Sequence, residues 1–310
     1  MLHIRPDYYD NFSCIADKCK HNCCIGWEID IDENTAEYYK NASCTLSNRF
    51  ASSINFSAPT PHFILAENDR CPFLNCRNLC DIITHTGEEH LCTICAEHPR
   101  FHNELPGRIE SGLGMCCEEA ARIILCKKEP VTLLYDGANV CADEIIDLRD
   151  KIILTLQNRS KPVLQRLQDM LRICSAPAPE SDKDFWTDVF LRLERLDDVW
   201  TQHLTNLKAC DIRKHATEFD AYINERETEY EQFCVYLVYR HFANAPDMYE
   251  AQLRAMFVYL SYFILRSLAT MLYTQNKAFT TEDHIELCRL YSAEIEYSDE
   301  NLYALLDELC

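Results

Sequence analysis

The residues best suited to chemistry are cysteines, and four of them lie within eleven residues near the start of the chain: Cys14, Cys19, Cys23 and Cys24. Thiolates bind zinc or iron–sulfur clusters, act as nucleophiles, or pair as disulfides. The first residues, MLHIRPDYYDNFSC, carry charges and aromatics where an export signal needs an apolar core. We therefore expect a cytoplasmic protein whose clustered cysteines bind metal rather than form disulfides.

The 19 cysteines are spread unevenly, and twelve of them lie in the first 117 residues. Three further groups follow the first one: Cys71/Cys76/Cys80, Cys92/Cys95 and Cys116/Cys117. Seven others stand singly in helical sequence, where a cysteine usually acts as a small buried apolar residue. These seven are Cys126, Cys141, Cys174, Cys210, Cys234, Cys288 and Cys310. The first 120 residues therefore carry the sulfur chemistry.

The cysteine spacing favours an iron–sulfur cluster and leaves zinc as the alternative. Structural zinc sites usually combine two short hooks, whereas Cys92-Thr-Ile-Cys95 is the one CxxC here. Adjacent cysteines such as Cys23 and Cys24 point in different directions, and a larger cluster accommodates irregular gaps better. The CxxxCxxC signature of radical enzymes that cleave S-adenosylmethionine is absent, which disfavours that class.

Composition excludes several function classes. The net charge is −20 and the isoelectric point is about 4.9, so nucleic acid and anionic membrane surfaces are unsuitable partners. The same charge suits a partner that presents lysines. The chain has six glycines, and Gly112-Leu-Gly114 lacks the third glycine of a dinucleotide-binding loop. A Rossmann-type domain is therefore not expected.

The predicted fold is mainly α. We expect residues 1–120 to form an irregular, cysteine-rich, metal-binding part with little strand, and residues 121–310 to form an all-helical body. Within the first part, Trp27–Asp32 alternates like a strand, Asp32 can cap a helix over Glu33–Lys40, and residues 50–62 resemble a loop. Prolines within residues 175–183 indicate a possible sub-boundary.

Helical periodicity begins at Glu118 and predicts the rest of the body. Ser181 with Asp184 resembles a capping pair before a helix that begins at Phe185. The predicted helices start near residues 118, 142, 161 and 185, and then cover roughly 212–243, 248–275, 281–296 and 299–309. Ala255–Tyr273 is nearly apolar but contains Arg266, which is costly at a membrane centre. We expect a buried core helix there rather than a membrane span.

Four motifs together carry a resemblance to a known family: CIADKCKHNCCIGWEIDID, CPFLNCRNLCDI, GEEHLCTICAEHPR and GMCCEEAAR. They resemble the flagellin lysine-N-methylase family of the FliB type, which shares its cysteine pattern with a wider group of iron- or zinc-chelating proteins. The helical stretches LERLDDVW and YEQFCVYLVYRHF are also similar. The resemblance implies a [4Fe-4S] protein that uses S-adenosylmethionine to methylate surface lysines of flagellin.

The resemblance also implies which cysteines bind metal. The family's cysteines correspond to Cys14, Cys19, Cys23, Cys24, Cys71, Cys80, Cys95 and Cys117. Cys76, Cys92 and Cys116 are extras of this chain. His98 and Glu118 depart from the family pattern, and the chain is short at its C-terminus for the family.

Lysine methylation requires that the ε-amine lose its proton before it attacks a sulfonium methyl group. The sequence identifies neither the catalytic base nor the residues that bind S-adenosylmethionine. The first candidates beside the cysteine motifs are Tyr8, Tyr9, Trp27, Asp30 and Glu88, for which the ordinary alternatives are a core aromatic and solvated acids. Arg100 can hold a carboxylate or a cluster's negative charge, or cap a helix. The alternative function is a non-catalytic zinc- or iron–sulfur-binding adaptor protein.

Overall fold

The fold is described from a computed structural model that covers residues 1–137 and 143–310. The chain divides into two compact units: a cysteine-rich unit of residues 13–101, and a helical unit of residues 1–12 and 102–310. The division at residue 120 that the sequence suggests differs from this one and stays a prediction. Cys141 and the predicted start of a helix at residue 142 lie outside the described residues.

Strands make up a small part of the structure. Among the described residues they are β1 (Leu2–Pro6), β2 (Ile54–Asn55), β3 (His62–Phe63), β4 (Arg100–Leu105), β5 (Arg108–Leu113) and β6 (Leu133–Asp136). β4, β5, β1 and β6 form a sheet in that order, in which β1 is parallel to β5 and antiparallel to β6. β2 and β3 form an antiparallel pair. The prediction of an all-helical body is wrong at β6, because that short strand is specified by its distant partner β1 rather than by local alternation.

The cysteine-rich unit contains four short α-helices: α1 (Glu33–Asn41), α2 (Ser47–Ser53), α3 (Asp81–Thr86) and α4 (Thr93–Glu97). The predicted cap is confirmed, since the Asp32 side chain accepts a hydrogen bond from the Thr35 amide at 3.0 Å.

Two local predictions in this unit are wrong. The segment Trp27–Asp32 is not a strand, although Asp30 forms an isolated bridge with His62. Its alternation is still visible, because Ile29 and Ile31 are buried and Asp30 is exposed. The predicted loop at 50–62 includes the end of α2 and the whole of β2. Tertiary burial of Phe50 and Ile54 outweighs the loop-forming composition there.

The helical unit contains ten helices within its described residues. They are α5 (Glu118–Leu125), α6 (Glu144–Leu156), α7 (Val163–Ile173), α8 (Lys183–Arg192), α9 (Asp198–Ala209), α10 (Ala216–Ile223), α11 (Glu227–His241), α12 (Met248–Asn276), α13 (Thr281–Tyr291) and α14 (Asp299–Glu308). The chain is mostly helical, with 59% helix and 10% strand, as predicted.

Several details of the helical body differ from the sequence expectations. Helix α8 begins at Lys183 and is capped by Asp182, not by the Ser181–Asp184 pair. Helix α9 was not predicted, and the segment 212–243 is divided between α10 and α11 by a 3-10 turn at Asn224–Arg226. The boundary differences arise because capping and packing, rather than apolar periodicity, set where a helix ends.

Helix α12 is the core helix of the unit. By length and composition it could cross a membrane, but 83% of its most apolar window is buried inside the protein. The charged residue within its apolar stretch, Arg266, has partners in the protein. Its guanidinium donates to Asp220 at 2.7 Å and lies over the rings of Phe219 and Tyr230 at 4.6 and 4.9 Å. The burial agrees with the expected core helix.

The single cysteines mostly fit their expected role as small buried residues. Cys174, Cys234 and Cys288 are buried, and Cys126 and Cys210 are half-buried. Cys310 is exposed, so the expectation of burial is wrong at this position.

Candidate metal centre

An aromatic core supports the cysteines of the cysteine-rich unit. Tyr39 stacks on Phe50 with ring centroids 4.3 Å apart, and Phe73 contacts both Phe50 and Phe63 at 5.2 Å. These rings belong to one buried apolar cluster that also includes two thiols and has four more packed against it: Cys71 and Cys92 within it, and Cys24, Cys44, Cys80 and Cys95 beside it. Segments distant in sequence thus bring their thiols to the same apolar support.

Six thiols of this unit interact with one another and are called the thiol group here. They are Cys23, Cys24, Cys71, Cys80, Cys92 and Cys95. Cys23 hydrogen bonds with Cys24, and Cys92 hydrogen bonds with Cys95. Negative charge on Cys71 or Cys80 would raise the pKa of Cys24, and charge on Cys24 or Cys71 would raise that of Cys95. This mutual effect links thiols from three chain segments.

The first segment is joined to the second by backbone pairing. The Cys71 amide donates to the Cys24 carbonyl at 2.8 Å, and the Gly26 amide donates to the Asp69 carbonyl at 3.0 Å. Gly26 has φ +98°, a conformation that glycine adopts without strain. The glycine therefore lets the chain turn directly after the Cys23–Cys24 pair.

The second segment, residues 70–81, is braced by polar side chains. Arg70 donates to the Asn75 carbonyl at 2.6 Å, and the Asn75 side chain accepts from the Leu79 amide at 3.1 Å. The Asn75 amide also donates to Asp81 at 2.8 Å, and Asp81 forms an ion pair with Arg49 at 2.6 Å. These contacts fix the positions of the thiols at the two ends of the segment, Cys71 and Cys80. Its middle cysteine, Cys76, is exposed.

The third segment is held by a carboxylate that caps two helices. Asp32 accepts from Thr35 in α1 and, through its other oxygen, from the Thr93 amide of α4 at 2.9 Å. Burial raises the pKa of Asp32, but the hydrogen bonds from Thr93 and Thr35 outweigh it, so the pKa is lowered. Cys92 and Cys95 are thereby held at the start of α4.

Nearby backbone amides favour the thiolate form of three cysteines. The amides of Phe73 and Leu74 oppose the rise in the pKa of Cys71 that burial causes, and those of Ile82 and Ile83 do the same for Cys80. The Cys95 amide helps to lower the pKa of Cys92. Neutral thiols are weak acceptors, whereas thiolates are strong ones, so these donors suit metal-bound sulfur.

The electrostatics of the thiol group also suit a bound cation. Burial raises the pKa of Cys71 to about 11, and it raises the pKa of Cys80 as well. In the adjacent pair, the hydrogen bond from Cys24 lowers the pKa of Cys23 to about 7 although burial opposes it. A metal would stabilise all of these thiolates together, because coordination deprotonates the thiol. The donor set therefore fits a thiolate-bound metal or cluster.

Five of the eight cysteines predicted as ligands come together in this group. Cys92, set aside from sequence as an extra, is also a member and is fully buried. Its CxxC spacing with Cys95 was the signal that could have identified it.

The other three predicted ligands are placed differently. Cys14 is exposed and accepts from the Ala16 amide at 3.4 Å, and Cys19 donates to the His21 carbonyl at 3.0 Å. Cys117 belongs to the helical unit and directly precedes α5. Their role as ligands stays a prediction.

The residues singled out as catalytic candidates lie in varied surroundings. Tyr8 is buried, and it lines a cavity of about 330 Å³ together with Asn11, Arg122, Ile123, Cys126 and Lys127. Tyr9 and Arg100 are half-buried.

The remaining candidates belong to the cysteine-rich unit. Trp27 is 40% exposed and is not a core aromatic; its indole donates to the Cys23 carbonyl at 2.7 Å. Asp30 and Glu88 are exposed, as solvated acids would be.

A buried polar network in the helical unit was not found from the sequence. Glu296 accepts from Tyr236 at 3.2 Å and lies 2.7 Å from His241 Nε2. Arg240 donates to the Tyr236 hydroxyl at 3.0 Å, and the same hydroxyl accepts from the Met115 amide at 3.1 Å. Glu296 ends a π-helical turn, Ser292–Glu296, of a kind often found at functional sites.

This network stabilises the ionised form of Glu296 and also fixes the position of a neighbouring chain segment. Burial raises the pKa of Glu296, but Arg240 and His241 outweigh it and lower the pKa, while burial lowers the pKa of His241. The GMCC motif packs close by: a Cβ on Gly114 would lie 1.9 Å from the Tyr297 hydroxyl, so only glycine fits there. The network therefore positions the segment that leads into Cys117.

Part of the helical body matches a known domain family. Residues 180–309, which include α8 to α14 and the four side chains of the network, match the family model for the FliB lysine N-methylase C-terminal domain. The match agrees with the resemblance to FliB-type lysine N-methylases.

Individual relatives agree with this class. The chain is 25% identical over 142 residues to lysine-N-methylases of Salmonella choleraesuis and Salmonella typhimurium; the similarity covers 41% of this chain and 33% of each relative. It is 26% identical over 141 residues to the flagellar biosynthetic protein FliU of Salmonella muenchen, covering 79% of that protein. The chain thus spans a third of the length of the lysine-N-methylases that it matches. No solved structure matches the chain.

Proposed function

We propose that this chain is a cytoplasmic protein-lysine N-methyltransferase that uses S-adenosylmethionine to methylate surface lysines of flagellin. The observation that carries the proposal is the match of residues 180–309 to a lysine N-methylase domain. The names of its relatives, lysine-N-methylase and flagellar biosynthetic protein, support a lysine on a flagellar protein as the target.

The thiol group is proposed to hold a [4Fe-4S] cluster, with zinc as the alternative. Cys71 and Cys80 would each supply one ligand, and the Cys23–Cys24 and Cys92–Cys95 pairs would supply the others. The backbone amides that favour the thiolate forms of Cys71, Cys80 and Cys92 support this assignment. When bound, the cluster would supply a structural or regulatory centre that cross-links three chain segments.

The charge of the protein supports a lysine-bearing substrate. A net charge of −20 attracts cationic surfaces, and that attraction is screened by salt. Methylation should therefore slow as the ionic strength rises.

Mass spectrometry of flagellin co-expressed with this protein tests the proposal directly. We expect methyl mass increments on flagellin lysines with the native chain, and far fewer with the variant C71S/C80S, which loses two members of the thiol group. The matched control is Cys76→Ser, which changes an exposed cysteine of the same segment and should keep full methylation.

Two further measurements identify the cause of a negative result. Metal and acid-labile sulfide analysis of anaerobically purified protein distinguishes a cluster from zinc, and equilibrium dialysis measures S-adenosylmethionine binding. Unmodified flagellin in the presence of metal-loaded protein and bound donor would overturn the flagellin assignment. Absence of donor binding by the metal-loaded protein would favour the adaptor function instead.

A further inference from the structure

Three side chains on the outer face of the cysteine-rich unit form a mixed oxygen and nitrogen ligand set. Glu28, Asp30 and His62 each offer one ligand atom, and these atoms all lie within 4.8 Å of one another. Asp30 was singled out from sequence, but the proposed function gives it no role. The three residues therefore form a ligand set separate from the thiol group.

The backbone aims these side chains in one direction. Glu28 and Asp30 are separated by the buried Ile29, so in an extended segment both point away from the core. The segment is tied to β3, because the Phe63 amide donates to the Ile29 carbonyl at 3.1 Å and Asp30 bridges to His62. The site is therefore built on two paired backbone segments rather than on mobile side chains alone.

The His62 imidazole is held as a metal ligand would be. Its Nδ1 donates to the Thr60 carbonyl at 3.1 Å, which leaves the lone pair on Nε2. The Asn55 amide nitrogen, oriented because its oxygen accepts from Ser57, lies 3.4 Å from Nε2 and donates to that lone pair, which confirms the tautomer. A bound ion would replace this long hydrogen bond. Metal-binding histidines commonly donate their other ring N–H to a backbone carbonyl.

The spacing leaves room for an ion. His62 Nε2 lies 3.7 Å from a Glu28 oxygen, which is too long for a direct hydrogen bond. Glu28 and Asp30 are exposed, so water can complete the coordination of an ion held by three protein ligands. Two carboxylates with one imidazole suit borderline and hard divalent ions such as Mn²⁺, Fe²⁺ and Zn²⁺.

We propose that Glu28, Asp30 and His62 form a second metal site, which binds one divalent cation independently of the thiol group. Mn²⁺ is the suitable probe, because thiolates select softer metals and carboxylates suit manganese. The proposal does not depend on the methyltransferase function.

The test is a titration of the full-length protein with Mn²⁺, followed by the loss of the free-ion electron paramagnetic resonance signal. We expect one bound Mn²⁺ per chain, and an affinity at least about tenfold weaker in Glu28→Gln and in His62→Ala. The controls Glu33→Gln and His85→Ala change an acid and a histidine elsewhere in the same unit and should bind Mn²⁺ like the native chain.

Glu28→Gln changes an exposed side chain and should leave the fold intact, so it keeps the test valid if His62→Ala unfolds. Circular dichroism and the metal content of the thiol group serve as folding checks. Unchanged Mn²⁺ affinity in a folded Glu28→Gln or Asp30→Asn variant would overturn the proposal, and so would equal weakening in the two controls.

Discussion

The two units are stabilised in different ways. Helices in the cysteine-rich unit have five to nine residues, whereas α12 in the helical unit has 29. Short helices are marginal alone, so the first unit relies on aromatic packing, polar bracing of its loops and its thiols. The second unit relies on buried apolar helix faces and buried ion pairs, such as Arg149 with Glu110. If the proposed metal binds the thiol group, metal would support one unit, whereas apolar packing supports the other.

Metal removal should give the largest difference between the units. In C71S/C80S, or after chelation, we expect residues 13–101 to lose amide protection from hydrogen exchange while α11 and α12 keep theirs. Structural metal binding contributes about 10–16 kcal/mol in small zinc domains, far more than one packing contact. The control Cys234→Ser, a buried cysteine of α11, should keep the metal. Equal metal loss in both variants would contradict the division between ligand and core cysteines.

A core truncation in the helical unit should give the reverse pattern. Phe233 is fully buried in α11, so Phe233→Ala should cost about 3–5 kcal/mol of unfolding free energy. Metal content and protection of residues 13–101 should remain. The control is an exposed aromatic residue, Tyr303 on α14, which is 55% exposed. Tyr303→Ala should change the free energy of unfolding by less than about 0.5 kcal/mol. Loss of metal in Phe233→Ala would show that the units do not depend on separate supports.

A third prediction concerns the buried network. Tyr236→Phe removes the hydroxyl that joins the Met115 amide to Glu296, and leaving these groups unsatisfied should cost about 1–3 kcal/mol. Hydrogen exchange at Met115 should accelerate more than exchange in the middle of α12. The control Tyr303→Phe removes an exposed hydroxyl and should leave both unchanged. If Met115 exchanges as slowly as in the native chain, the network does not position the GMCC segment.

The sequence predicted those features that depend on neighbouring residues. The cysteine groups, the cap at Asp32 and the apolar α12 are all visible in short windows, and the structure places five predicted cysteines in one group. The missed features join distant segments: β6 with β1, Glu296 with Tyr236, and Asp30 with His62. Such pairs leave no local periodicity, because each partner alone is an ordinary strand residue, acid or aromatic. Cys92 was set aside because family correspondence, rather than its CxxC spacing, decided its role.

The smallest predicted effect is a pH dependence confined to the cysteine-rich unit. Hydrogen bonds lower the pKa of Asp32 in the folded protein. Its contribution to stability is therefore fully present above the pKa of about 4 that it has in the unfolded chain, and it is lost as the pH falls through the lower pKa of the folded protein. Protection of α1 and α4 should therefore decline below about pH 4 in the native chain, before that of α11. Asp32→Asn cannot accept from both Thr35 and Thr93, so it should begin with lower protection and lose less on acidification. Glu37→Gln, an exposed acid of α1, is the control and should follow the native profile. Hydrogen exchange between pH 3 and 6 measures this, and identical profiles for Asp32→Asn and the native chain would show that this carboxylate does not join the two helices.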